Sequence, residues 1–205
     1  MRVWRLLFIL VVLAASAGTP RAAGPQDAAA FIDGLVGQAL DALKDKSLTD
    51  DARAQRFDAL LHRDFDLPRI ARYVLGRYWV DTSEADRAAF TDLFERWVVR
   101  TYASRLSQYK GETVRIAGAR PEGDSGAVVA MEIDRAGGGP PVALEWRVVS
   151  HDAAYKILDV TVAGVSMALT EREEVAAAIQ RAGGTVAALN RDLAARLDGT
   201  AAAAR

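Results

Sequence analysis

Apolar side chains recur at helical spacing through the first half of the chain and alternate in the middle third. Phe31, Leu35, Ala39 and Leu43 predict a helix over 26–46, and Phe57, Leu60 and Leu61 a second over 50–63. Asp66-Leu67-Pro68 has the form of a helix start, with Asp66 as the cap and Pro68 in the first turn, where its missing N–H costs nothing. That helix should run to Leu75 and stop at Gly76. Ser83 and Asp86 form a capping-box pattern that opens a long helix to about Gln108. Its stripe of Phe90, Leu93, Phe94, Trp97, Val98 and Thr101 is broad and strongly aromatic.

The period changes at Gly111. Residues 112–119, 126–133, 141–149 and 154–162 alternate as strands: Val114 and Ile116; Val129, Met131 and Ile133; Val142, Leu144, Trp146 and Val148. The joints between them are short, which favours an antiparallel meander over parallel strands and their long crossovers. Thr170 and Glu173 predict the start of a helix reaching Arg181. Gly183-Gly184 breaks it, and Thr185 caps a last helix carrying Val186, Leu189, Leu193 and Leu197. The predicted fold class is α+β: a curved antiparallel sheet packed against helices, with a helical N-terminal half. It forms a single domain over 24–198, followed by a frayed tail over 199–205.

The first residues change where this domain works. Arg2 and Arg5 precede an apolar run from Leu6 to Ala15, followed by the small-residue pattern Ala15-Ser16-Ala17. This describes a cleavable export signal over 1–23, too short for a comfortable bilayer span of about 20 residues. The chain has no cysteine, which removes disulfides, thiolate metal sites and cysteine nucleophiles. The full chain carries 26 basic and 27 acidic residues; losing Arg2, Arg5 and Arg21 with the leader leaves 23 basic residues and a net charge of −4. That balance offers no basic stripe for a nucleic-acid backbone.

Candidate chemistry is sparse. The two histidines, His62 and His151, sit apart from any metal-spaced cluster and read as surface residues. Ser166, in Gly164-Val165-Ser166-Met167-Ala168, follows a strand but lacks the last glycine of a nucleophile elbow, and the predicted helix starts only at Thr170. It reads as a turn residue. Asp134 or Asp159 would serve as a base if buried in a cone-shaped sheet. Nothing in the sequence asks for a cofactor or metal. The aromatic and aliphatic inventory has two readings: a filled core, or an elongated cavity between a curved sheet and an aromatic helix, suited to acyl chains.

Several segments resemble one known family in order and spacing. They are Phe65-Asp66-Leu67-Pro68-Arg69-Ile70-Ala71-Arg72-Tyr73-Val74-Leu75-Gly76-Arg77-Tyr78-Trp79; Phe90 and Phe94; and Thr101-Tyr102-Ala103 with Leu106 and Tyr109. Tyr155-Lys156-Ile157-Leu158-Asp159-Val160 leading into Gly164-Val165-Ser166, then Arg172, Ile179 and Gly183, complete the set. Over most of residues 30–197 the chain resembles the MlaC/toluene-tolerance family, including its branch associated with hopanoid biosynthesis. The resemblance implies a non-enzymatic periplasmic carrier with a fold related to the NTF2-like cone. Such a carrier moves phospholipid between an outer-membrane lipoprotein complex and an inner-membrane ABC transporter bearing an MCE-type protein.

On that reading, acyl tails enter between the sheet and the Ser83–Gln108 helix. Alternation then nominates Val74, Leu75, Trp79, Phe94, Trp97, Val98, Tyr102, Val114, Ile116, Val129, Met131, Leu144, Trp146, Val160, Val165 and Met167 as walls. Arg69, Arg72, Arg77 and Arg105 are expected to meet a head group or a partner. The rival accounts are an enzyme with an acid at the cavity floor, and an adaptor whose core is full.

Overall fold

A computed structural model of the protein describes residues 24–106, 111–151 and 154–203. Residues 1–23, read from the sequence as an export signal, lie outside the described residues, as do Tyr109 and the extreme C-terminus. The helical first half consists of α1 (Pro25–Lys44), α2 (Asp50–Asp64), α3 (Leu67–Leu75), a 3₁₀ turn (Gly76–Trp79) and α4 (Glu84–Leu106). Then come β1 (Thr113–Glu122), β2 (Gly126–Asp134), β3 (Val142–His151), β4 (Ala154–Val162) and the two-residue β5 (Val165–Ser166). The chain closes with α5 (Met167–Arg181) and α6 (Val186–Ala203).

The caps follow the local chemistry of the sequence. Thr49 Oγ1 accepts from Ala52 N–H at 3.2 Å at the start of α2. An Asp66 carboxylate oxygen accepts from Arg69 N–H at 3.1 Å at the start of α3. Ser83 Oγ accepts from Asp86 N–H at 3.1 Å and donates to the Asp86 carboxylate at 2.6 Å. α6 continues to Ala203, past Gly199, where the sequence reading places the frayed tail.

The sheet is a meander in the order β1-β2-β3-β4-β5, every pair antiparallel. The fifth strand was not visible in the sequence, since two residues carry no alternation. It brings Ser166 back along the edge of β4, with Thr161 paired to Ser166. Further along β4, Phe65 forms a parallel bridge to Ile157, and Asp66 N–H donates to the Ile157 carbonyl at 3.0 Å. The junction of α2 and α3 is therefore tied to the sheet.

Two separate cores result. In the first, Ala28, Ile32 and Leu35 of α1 and Leu60 of α2 are buried against Ala127, Val129, Val148 and Ile157 of the sheet. In the second, Ala71, Val74 and Leu75 of α3, Phe90 and Phe94 of α4, Ile179 of α5, and Val186 and Leu189 of α6 pack together. The aromatic stripe of α4 faces α3, α5 and α6, not the sheet. Its partners are helical because α5 and α6 return over it after the meander; α1 and α2 cover the apolar face of the sheet instead.

Gly76 joins α3 to the 3₁₀ turn at φ +52°, ψ −122°, a conformation open to glycine alone. A Cβ there would lie 2.8 Å from Arg172 Nε, which rests against the turn. Gly76→Ala is expected to lower stability by about 1–3 kcal/mol, or roughly 2–10 °C in Tm. Adding Arg172→Ala should recover only the steric part, because the backbone strain remains. Thermal unfolding of the single and double variants measures both terms.

Candidate functional site

A cavity of ≈ 380 Å³ lies between the α1–α2 pair and the β1–β3 end of the sheet. Leu35, Val36, Ala39, Leu40 and Leu43 of α1 form one wall, and Phe57, Leu60 and Leu61 of α2, with Phe65, form another. Val114, Met131, Ile133, Leu144 and Trp146 contribute from the sheet, with Glu112 just before β1 as the ionisable member of the lining. The volume falls within the span of about 300–1,000 Å³ usual for small-molecule sites. Strand register explains the sheet wall. Val114 pairs with Ile133, Met131 with Leu144, and Trp146 with Val129, so alternate residues of three strands stand on one face.

Of the walls nominated from sequence, Val114, Met131, Leu144 and Trp146 line this cavity. The others are placed elsewhere. Val74, Leu75 and Phe94 are buried in the helical core, and Trp79, Trp97 and Val98 pack against it, because α4 does not face the sheet. Tyr102 is half-buried on the same helix and is not among the lining residues. Val129 is fully buried in the first core, and Ile116 and Val160 pack against that core. Val165 is 54% exposed on β5, and Met167 opens α5. The α1 and α2 walls were missed. Their signal was present: Val36 and Leu40 beside Leu35, Ala39 and Leu43 make a stripe wider than one packing seam needs.

The arginines also lie away from this lining. Arg69 borders a second cavity on the other side of the sheet. The Arg72 guanidinium stacks on Trp79, and that of Arg77 stacks on Tyr78. The side chain of Arg105 lies outside the described residues.

Among the described residues, the lining of the apolar cavity includes no serine, histidine or aspartate. Ser166 Oγ donates to the Asp159 carboxylate at 2.6 Å and accepts from Leu169 N–H at 3.1 Å, while Ala168 N–H donates to Asp159 at 2.9 Å. Ser166 is thus the cap of α5, which starts at Met167 and not at Thr170; Thr170 instead donates its hydroxyl back to the Ser166 carbonyl at 2.9 Å. The helix does begin directly after the serine, yet its hydroxyl is engaged by a carboxylate and a backbone amide. Asp134 is exposed at the end of β2. Neither aspartate lines the apolar cavity; Asp159 lines the second cavity, where its carboxylate accepts from Ser166 Oγ and Ala168 N–H. Among the described residues no group of three histidine, aspartate or glutamate side chains is placed to hold a metal ion.

Behind the α2 wall, His62 stands between two carboxylates. His62 Nδ1 lies 3.6 Å from Asp58, and Nε2 lies 3.4 Å from Glu95 of α4. Burial pushes the Glu95 carboxyl above the ordinary glutamate range; His62 opposes this, and Asp92 and Asp58 add to it.

The MlaC protein family profile matches residues 33–195. The chain belongs to the MlaC family. A Haemophilus influenzae relative, the intermembrane phospholipid transport system binding protein MlaC, is 31% identical over 97 residues. That alignment covers 46% of this chain and 45% of the relative, less than half its length. A phospholipid-binding protein from Ralstonia solanacearum, solved in complex with a phospholipid, superimposes with a TM-score of 0.72. It shares 24% identity and covers 85% of this chain and 98% of its own; at that identity the likeness is one of fold. The α+β class read from the sequence is that of this MlaC-family fold.

Glu95 supplies a test of the α2–α4 contact. A raised native pKa means its stabilising contribution is present at low pH and is lost as pH rises through that pKa. Glu95→Gln should therefore raise Tm by about 1–2 °C at pH 8. Near pH 4 the gain should shrink toward zero. Melting curves across that range read the sign directly.

Proposed function

We propose that this chain is a periplasmic phospholipid carrier that shelters acyl tails between α1, α2 and the sheet. The observation that carries the reading is the ≈ 380 Å³ cavity walled almost wholly by hydrocarbon, in a chain of the MlaC family. Transferring a methylene from water to such walls releases roughly 0.8 kcal/mol, so a sixteen-carbon tail gains on the order of 10 kcal/mol before ordering costs. A polar or charged substrate would gain nothing comparable there. Release needs no covalent step, only a competing apolar environment.

The basic, apolar leader supports export. No described helix is long and apolar enough to cross a membrane. The name of the Haemophilus relative and the lipid bound to the Ralstonia protein support a phospholipid as cargo. The exchange partners proposed are an inner-membrane ABC transporter complex with an MCE-type protein and an outer-membrane lipoprotein complex.

Organic extraction of protein purified from its own periplasm, followed by mass spectrometry, should yield about one lipid per chain. It also distinguishes a phospholipid from a hopanoid. Ala39→Trp places an indole in the cavity and is expected to lower retained lipid by about fivefold or more with the fold intact. Consistently lipid-free native preparations would overturn the reading.

A further inference from the structure

Arginines with and without a carboxylate partner both occur among the described residues, and four of those without one lie together on α3, the 3₁₀ turn and α5. On the outer face of the sheet, Arg115 pairs with Glu132, Arg120 with Glu145, and Arg147 with Glu122. Arg56, Arg63 and Arg96 are paired with aspartates on the helices. Arg69, Arg72, Arg77 and Arg172, from α3, the 3₁₀ turn and α5, meet no carboxylate among the described residues. Three of them lie over aromatic rings instead: Arg72 over Trp79, Arg77 over Tyr78 and Arg172 over Tyr73, at 5.7, 5.0 and 5.1 Å. Arg69 is exposed. Held over aromatic rings or left exposed, these guanidiniums keep their charge available to an acidic ligand.

The same region exposes apolar side chains. Tyr73 is 44% exposed, Leu169 46% and Val165 54%, three of the four large exposed apolar residues described. Tyr73 and Leu169 join Ile70 and Leu158 in lining a groove of ≈ 390 Å³, with Arg69 and Arg147 beside them. The one carboxylate in that lining, Asp159, is occupied by Ser166 Oγ and Ala168 N–H. A groove lined by Ile70, Tyr73, Leu158 and Leu169, with Arg69 unpaired at its edge and Arg72 one turn along α3, combines an aromatic, apolar contact with free positive charge, the composition of the energetic centre of a protein interface.

We propose that this groove docks an acidic segment of a partner protein, one that inserts an apolar side chain between Tyr73 and Leu169 and sets carboxylates against Arg69 and Arg72. A bilayer is the wrong occupant on geometric grounds. Trp146 lines the lipid cavity and its neighbour Arg147 lines the groove, so the two sites stand on opposite faces of the sheet. A membrane held at the groove would face away from the cavity. A protein held there leaves the cavity free to exchange its contents. The choice of a protein over a bilayer thus rests on the carrier reading; the docking itself does not.

The test uses the full mature chain, ¹⁵N-labelled, and a short amphipathic peptide with a leucine stripe and glutamate elsewhere. Binding should perturb amides around Ile70, Tyr73 and Leu169 and weaken steeply with salt. The peptide with lysine in place of glutamate should bind at least about tenfold more weakly. Arg69→Glu with Arg72→Glu should abolish the preference between the two peptides; Leu169→Glu, on a different helix, gives an independent check if the double variant unfolds. The proposal is overturned if the lysine peptide binds equally, if perturbations map elsewhere, or if phosphatidylglycerol vesicles bind through Arg69 while the peptide does not. Lipid extracted from the same preparations is a separate readout. Loss of peptide preference with lipid retained concerns docking only, and binding of the peptide by lipid-free protein overturns only the carrier reading.

Discussion

The apolar face of the sheet is longer than the side chains of α1 can fill. At one end, Ala28, Ile32 and Leu35 press onto Ala127, Val129, Val148 and Ile157 and leave little space. Toward the other end the same helix presents Val36, Ala39, Leu40 and Leu43, opposite Val114, Met131, Ile133 and Leu144, and the layers do not meet. Close packing holds the helix at a fixed height over the first half of its length. Beyond that point the spacing is inherited, and a cavity remains. Protein interiors tolerate such space poorly unless something else supplies the stability.

That supply is the second core. Phe90 and Phe94 of α4, with Val74, Leu75, Ile179, Val186 and Leu189, form a helical layer that shares no buried residue with the first and borders a cavity of only ≈ 150 Å³. The arrangement separates two demands that conflict in one core, since a tightly packed interior stabilises the chain and a vacant one accepts a guest. It also accounts for the aromatic richness of α4, which serves cohesion here. The resemblance read from residues 65–79 therefore reports as much on the framework as on the cavity. Gly76 and Arg172 meet at the turn that orients α3, and the segment's arginines lie away from the apolar lining.

Helix and strand identities were largely legible because each segment has a clean period: the four long strands alternate, and Asp66 and Ser83 act as caps. What periodicity cannot supply is which two faces meet. The stripe on α4 and the inner face of the sheet both look for a partner, and nothing local says that α1 takes one and α5 with α6 the other. Four sheet residues of the cavity, Val114, Met131, Leu144 and Trp146, were legible because register follows from short joints. The helical walls were not, because α1 precedes the sheet by a long stretch of chain. The start of α5 was misplaced for a similar reason. Ser166 becomes a cap only when Asp159, seven residues earlier, stands beside it on the paired strand.

One further property follows from how the α1–α2 hairpin is attached. Its two roots are bonded to nearby positions on β4. Tyr155 donates its hydroxyl to the Gly24 carbonyl at 2.8 Å before α1, and the Ile157 carbonyl accepts from Asp66 N–H at 3.0 Å after α2. At the far end the Arg53 guanidinium grips the carbonyls of Ala42, Asp45 and Leu48, so the two helices travel together. A paired rod fastened along one line has one soft motion, a swing about that line. With 20 residues in α1, its length is about 30 Å, and a tilt of roughly 5° lifts the distal tip by about 2–3 Å while the roots barely move. Width at the tip is therefore the dimension that this attachment constrains least.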